Sequence, residues 1–362
     1  MSQTGIPFVF MRGGTSRGPY FNRADLPEDR ETLAQVLVAA VGSGHPINID
    51  GIGGGVAVTT KVAMLSRSDD DWADIDYFFA QVSVEDQLVD FKPTCGNILA
   101  GVGPAAIEMG LIQPAGDVTE IKIRAVNTGA KVLAKVQTPG GEITYDGETE
   151  IAGVPGSAAP VALNFMGVVG SSTGKFLPTG NLRDQIDGID VTCMDVAMPM
   201  AIAKAEDFGL TGYETVAELD EDKAFFARME SIRLKAGELM GMGDVSKSVT
   251  PKFGLLAPAR DGGTIATRYF MPWTTHPSMA VTGSQCLASC ALTPGTVADG
   301  LLNRPNENPA NVVLEHASGT IEVLVDYDTT EGFALNSAGL LRTARKLAEG
   351  KVFVPARIWK GL

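Results

Sequence analysis

"CGNILAGVGPAAIEMGLI", residues 95–112, has helical spacing but is almost free of charge and bulk. A small polar–glycine step opens it, and Ala, Gly and a few aliphatic residues follow. Such a composition suits a helix enclosed by closely approaching strands rather than one on a surface. A second stretch of the same kind, "TGSQCLASCALTPGTVADGLL", begins at Thr282, about half the chain further on. The pair suggests two similar halves, each with a buried helix wrapped by strands. Residue-by-residue similarity between them is weak, so an internal duplication stays open.

Much of the rest reads as β. Runs of β-formers lie at 6–11, 60–66, 77–84, 119–126, 130–137, 191–198, 264–270, 320–326 and 351–355. "NTG" (127–129) between two of them suits a hairpin turn. Amphipathic helices fit 28–41, 213–240, 284–292 and 337–349. The Gly- and Pro-rich region 139–160 is a loop or hairpin, and 178–190 is the better linker.

A chain of 362 residues suggests two or three domains, and 44% hydrophobic with 20% charged residues suffices for packed cores. The net charge of −14 argues against a nucleic-acid surface, but not against an acidic ligand held by a few arginines. Four cysteines with no C-x-x-C pair, and three histidines, make a zinc site unsupported. The N-terminus has no basic start before its short apolar stretch, and no apolar run approaches the ~18–20 residues of a membrane span. A soluble protein of a reducing cytoplasm is expected, with no nucleic-acid or membrane partner. No cofactor is implied: "DGIGGG" (50–55) runs directly into strand-like "VAVTTKVAML" instead of a helix.

Four stretches could carry chemistry. "MRGGTSRGPYF" (11–21) has the make-up of an anion cradle. Gly13 lets backbone amides approach a ligand, Thr15 and Ser16 add hydroxyls, and Arg12 or Arg17 can grip a carboxylate. A glycine hairpin with surface arginines is the bland alternative. In "PTCGN" (93–97), Cys95 stands at a helix start, where the dipole and free amides of Gly96 and Asn97 favour an anion or a thiolate. Burial as a small hydrophobe is the alternative. In "SMAVTGSQC" (278–286), Thr282, Gly283 and Ser284 open the second helix, as anion donors or as ordinary caps. Lys61, alone in "TTKVAML" (59–65), either snorkels to water or, if desolvated, serves as a base.

Taken together, "MRGGTSRG" (11–18), "DGIGG" (50–54), "TTKVA" (59–63), "TCGNILAGVGP" (94–104), "NTG" (127–129) and "HPSMAVTGS" (276–284) resemble the PrpF family of the diaminopimelate-epimerase-like fold. "DIDYFFAQV" (74–82) and "CGNILAGVGPAAIE" (95–108) look most like its 4-oxalomesaconate tautomerase branch, which works in aromatic-acid breakdown. The resemblance implies an α+β fold of two similar domains, each a strongly curved, mostly antiparallel sheet around a central helix, with the active cleft between them. The domains are expected at 1–186 plus 350–362, and at 187–349.

By the same resemblance, Lys61 matches the family's proposed base and Cys95 the cysteine of the epimerases. Their second cysteine is absent here, Ala280 and Val281 holding its place, which rules out a two-cysteine racemase. Cys286 and Cys290 fall within the second helix and read as packing. The implied reaction is a cofactor-independent proton transfer on an unsaturated tricarboxylate, with Lys61 and Cys95 as catalytic residues, Lys61 as base and Cys95 either delivering a proton or positioning the substrate. Arg12, Gly13, Thr15, Ser16, Arg17, Gly96, Asn97, His276, Ser278, Thr282, Gly283 and Ser284 would bind the substrate. Isomerisation of 2-methylaconitate or methylitaconate is the alternative within the class, and a non-catalytic carboxylate-binding protein the alternative outside it. A homodimer is left open.

Overall fold

Strands dominate the computed structural model, which describes residues 2–330 and 332–361. The fold is mixed α+β and divides into two compact units, Met1–Leu163 with Leu341–Leu362, and Asn164–Leu340.

In the first unit β1 (Gln3–Gly13) and β2 (Ser16–Asn22) form an antiparallel hairpin. Helix α1 (Arg30–Val41) then leads to β3 (Lys61–Arg67), which lies parallel to β2. Strand β4 (Ile75–Val82) returns antiparallel to β3, with β5 (Val89–Asp90) paired along it. Two short helices, α2 (Gly96–Leu99) and α3 (Val102–Glu108), precede β6 (Val118–Ala125), which is parallel to β4. Strand β7 (Ala130–Gln137) closes a hairpin with β6. Beyond it come the isolated pair β8 (Thr149–Glu150) and β9 (Ser157–Ala158), then β10 (Pro160–Met166) beside β7.

The second unit begins with β11 (Asp184–Ile186), β12 (Ile189–Asp195) and β13 (Pro199–Lys204), successive antiparallel neighbours. Helices α4 (Val216–Glu221) and α5 (Lys223–Leu239) lead to β14 (Lys252–Ala257), parallel to β13, and β15 (Ile265–Phe270) pairs back on it. Helix α6 (Val281–Leu292) precedes β16 (Ala310–His316), parallel to β15, and β17 (Gly319–Asp328) is its antiparallel partner. The last strand, β18 (Ala334–Pro355), pairs with β17 through its first residues and with β1 through Ala344–Pro355.

The same sequence of pairings occurs twice. Antiparallel, parallel, antiparallel, parallel, antiparallel describes β1-β2-β3-β4-β6-β7 and again β12-β13-β14-β15-β16-β17. Helices fill the same two crossovers in each run. The order of strand pairings thus recurs along the chain, as the small-residue segments do.

Local chemistry accounts for most element ends. Asp29 caps α1 by accepting from the Thr32 amide, and Gly42 ends it in the left-handed region at φ 81°. Between them Leu33, Val36, Leu37, Ala40 and Val41 form one buried stripe. At the β6–β7 turn the amides of Thr128 and Gly129 both return to the Ala125 carbonyl.

Three expectations change. The helix expected at 337–349 is strand, part of β18, because Leu340 pairs with Val323 and Ala344 with Gly13. Tertiary pairing overrides a local helical period there. The helix expected at 213–240 breaks at Asp222, whose non-helical backbone and carboxylate cap α5. Finally, the units divide at 163/164 and 340/341, not at 186/187 and 349/350. Residues 178–190 are no linker: Arg183 donates to the Gly295 and Thr296 carbonyls and ties the β11–β12 hairpin into the second unit.

Both small-residue segments are buried for a visible reason. The first is split into α2 and α3 rather than continuous, and a Cβ at Gly101 would meet the Tyr20 hydroxyl at 2.3 Å. Helix α6 is buried from Gly283 to Leu292 and packs against β12, β13, β15, β16 and β17. Its buried side-chain donors find carbonyls: Ser284 donates to Val281, Ser289 to Gln285 and Gln285 Nε2 to Ala338 of β18, while Gln285 Oε1 has no partner among the described residues.

Candidate active site

Alternation along β4 sends Tyr77, Phe79 and Gln81 to one face. Register extends that face to Lys61 and Ala63 of β3, opposite Gln81 and Phe79, and from Ala63 to Tyr20 of β2. The Tyr77 hydroxyl donates to the Cys95 carbonyl at 3.3 Å, and Tyr20 donates to the Ile98 carbonyl at 2.5 Å. The Phe79 ring lies 6.3 Å from the Tyr77 ring. Lys61 Nζ stands 5.4 Å from the Phe79 centroid and donates to Gln81 Oε1 at 2.8 Å. One strand face thus carries Cys95 by its backbone at Tyr77 and Lys61 two positions along, at Phe79.

Cys95 is the N-cap residue of α2, with no side chain capping that end, and it is half-buried, as is Lys61. Burial pushes the phenols of Tyr20 and Tyr77 well above their ordinary range, and the nearness of Cys95 adds to it. Both therefore stay protonated and act as donors. The other cysteines differ in kind. Burial pushes Cys193 and Cys290 up to about 12 and Cys286 well above its usual value, so these thiols stay protonated packing groups.

The glycine hairpin rests on the start of α2. Thr15 N donates to Asn97 Oδ1 at 3.4 Å, and a Cβ on Gly13 would sit 2.5 Å from the Asn97 carbonyl oxygen. Gly13 and Ser16 are cross-strand partners at the hairpin tip. Ser16 is 3% exposed, and its hydroxyl has no hydrogen-bond partner among the described residues. Ser16 is also among the residues that line a pocket of about 160 Å³, with Arg12, Thr15, Arg17, Val58, Thr59 and Gly153–Pro155.

The two arginines do not simply join Ser16. Pleating turns Arg12 and Arg17, also cross-strand partners, to the other face of the hairpin. Arg345 of β18 pairs with Arg12 on its far side, which makes a row of three arginines. None forms an ion pair among the described residues. Arg12 holds the Gly14 and Thr343 carbonyls, and burial, then Arg345, lowers its pKa.

The second unit holds His276, Ser278, Thr282, Gly283 and Ser284. His276 Nδ1 accepts from the Ser278 amide at 3.0 Å, and burial, with Lys252 adding to it, lowers the imidazole pKa. Thr282 is half-buried in the first turn of α6, behind Ala280, which offers no side-chain cap. Gly283 is a packing requirement, since a Cβ would meet the Tyr269 ring at 2.3 Å. Ser284 departs from its expected role: its amide donates to Ala280 and its hydroxyl to Val281, so both donors serve its own helix.

Tyr77, Phe79, Gln81 and Arg345 were not singled out by the sequence reading. The first three carried a signal, a Tyr-x-Phe-x-Gln spacing at strand period in "DIDYFFAQV". Arg345 carried none while its segment read as helix.

The family described as PrpF protein matches residues 3–355. This chain belongs to the PrpF family. A PrpF relative named 4-oxalomesaconate tautomerase, from Pseudomonas putida, is 44% identical over 363 residues, covering 100% of this chain and 99% of its own. A protein of Escherichia coli (strain K12) named YbhH is 49% identical over 350 residues, 97% of this chain and 99% of its own. Among solved structures, methylitaconate-delta-isomerase matches with a TM-score of 0.89 at 33% identity, covering 99% of this chain and 97% of its own. Among the described residues no helix is long and apolar enough to cross a membrane, and no group of three or more His, Cys, Asp or Glu is placed to hold a metal.

Proposed function

We propose that this isomerase moves a proton between two carbons of an unsaturated tricarboxylate, with 4-oxalomesaconate as first candidate and aromatic-acid breakdown as its setting. Carrying the reading is one observation: Lys61 and the Cys95 backbone are both held by the Tyr77–Phe79–Gln81 face of β4. In its neutral form Lys61 takes a proton from a carbon next to a carbonyl or conjugated carboxylate, and the electron pair moves into the π system as a dienolate. Amides at the start of α2, Gly96 and Asn97 among them, stabilise the developing negative charge. Cys95 gives its thiol proton to the distant carbon, and proton return from the Lys61 ammonium through solvent resets both groups.

Thr15, Ser16 and Arg17 line the pocket assigned to a distal carboxylate, and the Ser16 hydroxyl beside it is unpartnered among the described residues. Arg12 is part of the pocket wall, and Gly13 lets the hairpin approach Asn97 closely. His276, Ser278, Thr282 and the backbone at Gly283 are kept as a carboxylate-binding set of the second unit. In the same reading each unit is a curved sheet wrapped round its buried helix.

The test is incubation in D2O with 4-oxalomesaconate, 2-methylaconitate and methylitaconate, followed by proton NMR and ultraviolet absorbance. Deuterium entering the first substrate, with the matching spectral change, is the expected result. Exchange confined to one of the other acids moves the substrate assignment. Binding without exchange in any of them supports a carboxylate-binding protein and overturns the isomerase chemistry.

A further inference from the structure

Gln81 connects to four groups. Its Nε2 donates to the Ala57 carbonyl at 3.1 Å, to Thr60 Oγ1 at 3.2 Å and to the Val82 carbonyl at 3.2 Å. Three acceptors around one nitrogen fix the amide's orientation and leave its oxygen facing Lys61. Thr60 is anchored in turn, its hydroxyl donating to the Val82 carbonyl at 2.7 Å. Among the described residues Lys61 Nζ makes its one hydrogen bond to that oxygen.

We infer that Gln81 is a positioning residue for Lys61, holding Nζ over Phe79 with a neutral acceptor that favours the ammonium less than a carboxylate would. The inference rests on the proton-transfer role proposed for Lys61. Its chemical content lies in what Gln81 is not. A carboxylate at the same place would form an ion pair and favour the charged amine, which cannot abstract a proton. A purely apolar residue would let the long side chain swing away from Phe79. An amide holds the side chain in place without the full charge of an ion pair. The titratable groups on the surrounding elements are Arg17 and Tyr20 on β2, Arg67 on β3, Asp76 and Tyr77 on β4, Asp90 on β5, which pairs with Gln81, and Cys95 ahead of α2. None of them accepts a hydrogen bond from Lys61 among the described residues.

Two variants and two readouts test this. Acetylation of Lys61 by acetic anhydride, followed by mass spectrometry of its peptide across pH, reports the neutral amine without any substrate. Gln81→Glu should move the midpoint of that curve up by about one pH unit or more, and the pH–rate profile with it. Gln81→Met should leave the acetylation midpoint in place or lower, while kcat falls about 10–100-fold and KM changes less than about threefold. Thermal melting of both variants separates loss of fold from loss of positioning. A Gln81→Glu acetylation curve that overlays wild type, in a folded protein, overturns the inference, as does wild-type kcat in Gln81→Met. If the wild-type chain turns over no acid of the panel, the reading of Lys61 fails instead, while the acetylation shift still reports on Gln81.

Discussion

Replacing Gly101 by alanine sets helix propensity against packing. Gly101 has helical torsions, φ −85° and ψ −8°. Alanine therefore fits the backbone and should gain about 0.5–1 kcal/mol relative to glycine. Its methyl, however, would lie 2.3 Å from Tyr20 Oη and 2.7 Å from Tyr20 Cζ. Unstrained carbon contacts begin at about 3.5 Å, so the ring must retreat by about 1 Å. Tyr20 is fully buried and holds the Ile98 carbonyl, so it cannot retreat freely. Overpacking of this kind costs about 1–3 kcal/mol, and a weakened buried hydrogen bond about 1 kcal/mol more. Packing should win, with a net loss of about 2–3 kcal/mol, or roughly 4–12 °C in the melting transition of the first unit. Calorimetry of Gly101→Ala, Tyr20→Phe and the double variant measures it. Removing the hydroxyl nearest the new methyl should make the double variant less unstable than the sum of the singles. A Gly101→Ala protein melting at or above wild type, or strict additivity, would refute the close-packing account of the segment.

Other outcomes follow from single groups. Ser16→Ala should raise Tm slightly, because it removes a buried unpaired hydroxyl, while KM for the tricarboxylate rises about 5–10-fold. A fall in Tm with unchanged KM would deny Ser16 its ligand. Glu315 accepts from Tyr213 and from the amides of Arg260, Asp261 and Gly263. Burial alone would raise its pKa, but those hydrogen bonds outweigh burial and hold it low. Glu315→Gln turns an NH2 toward donors and should destabilise by about 2–4 kcal/mol, measured by urea titration. Burial lowers the pKa of both His276 and His316. Their neutral forms favour folding above the unfolded value of about 6.5, and that contribution is lost as pH falls through the lowered values. The Tm of wild type should drop more steeply below pH 6.5 than that of His276→Gln/His316→Gln.

Much of this architecture was legible because its signals are local. The α1 stripe, the "NTG" turn and the two small-residue segments each involve neighbours within a turn or two. What escaped was set by pairing between distant positions. Residues 337–349 carry a helical period, yet β18 finds its partners in β17 and β1, the latter well over three hundred residues away in sequence. Arg345 meets Arg12 only through that pairing. The Lys61–Gln81 bond likewise depends on the β3–β4 register, which composition does not reveal. Ser284 was misjudged for the opposite reason: at a helix start it looked available, but a serine inside a buried helix satisfies its hydroxyl on the preceding turn.

Turnover by Lys61→Met is the sharpest measurement. Methionine preserves bulk beside Phe79 and removes the proton acceptor, so kcat should fall at least about 100-fold while substrate affinity, read by calorimetric titration, stays within about threefold. A folded Lys61→Met protein that keeps more than about a tenth of wild-type kcat would contradict the assignment of the proton to this amine.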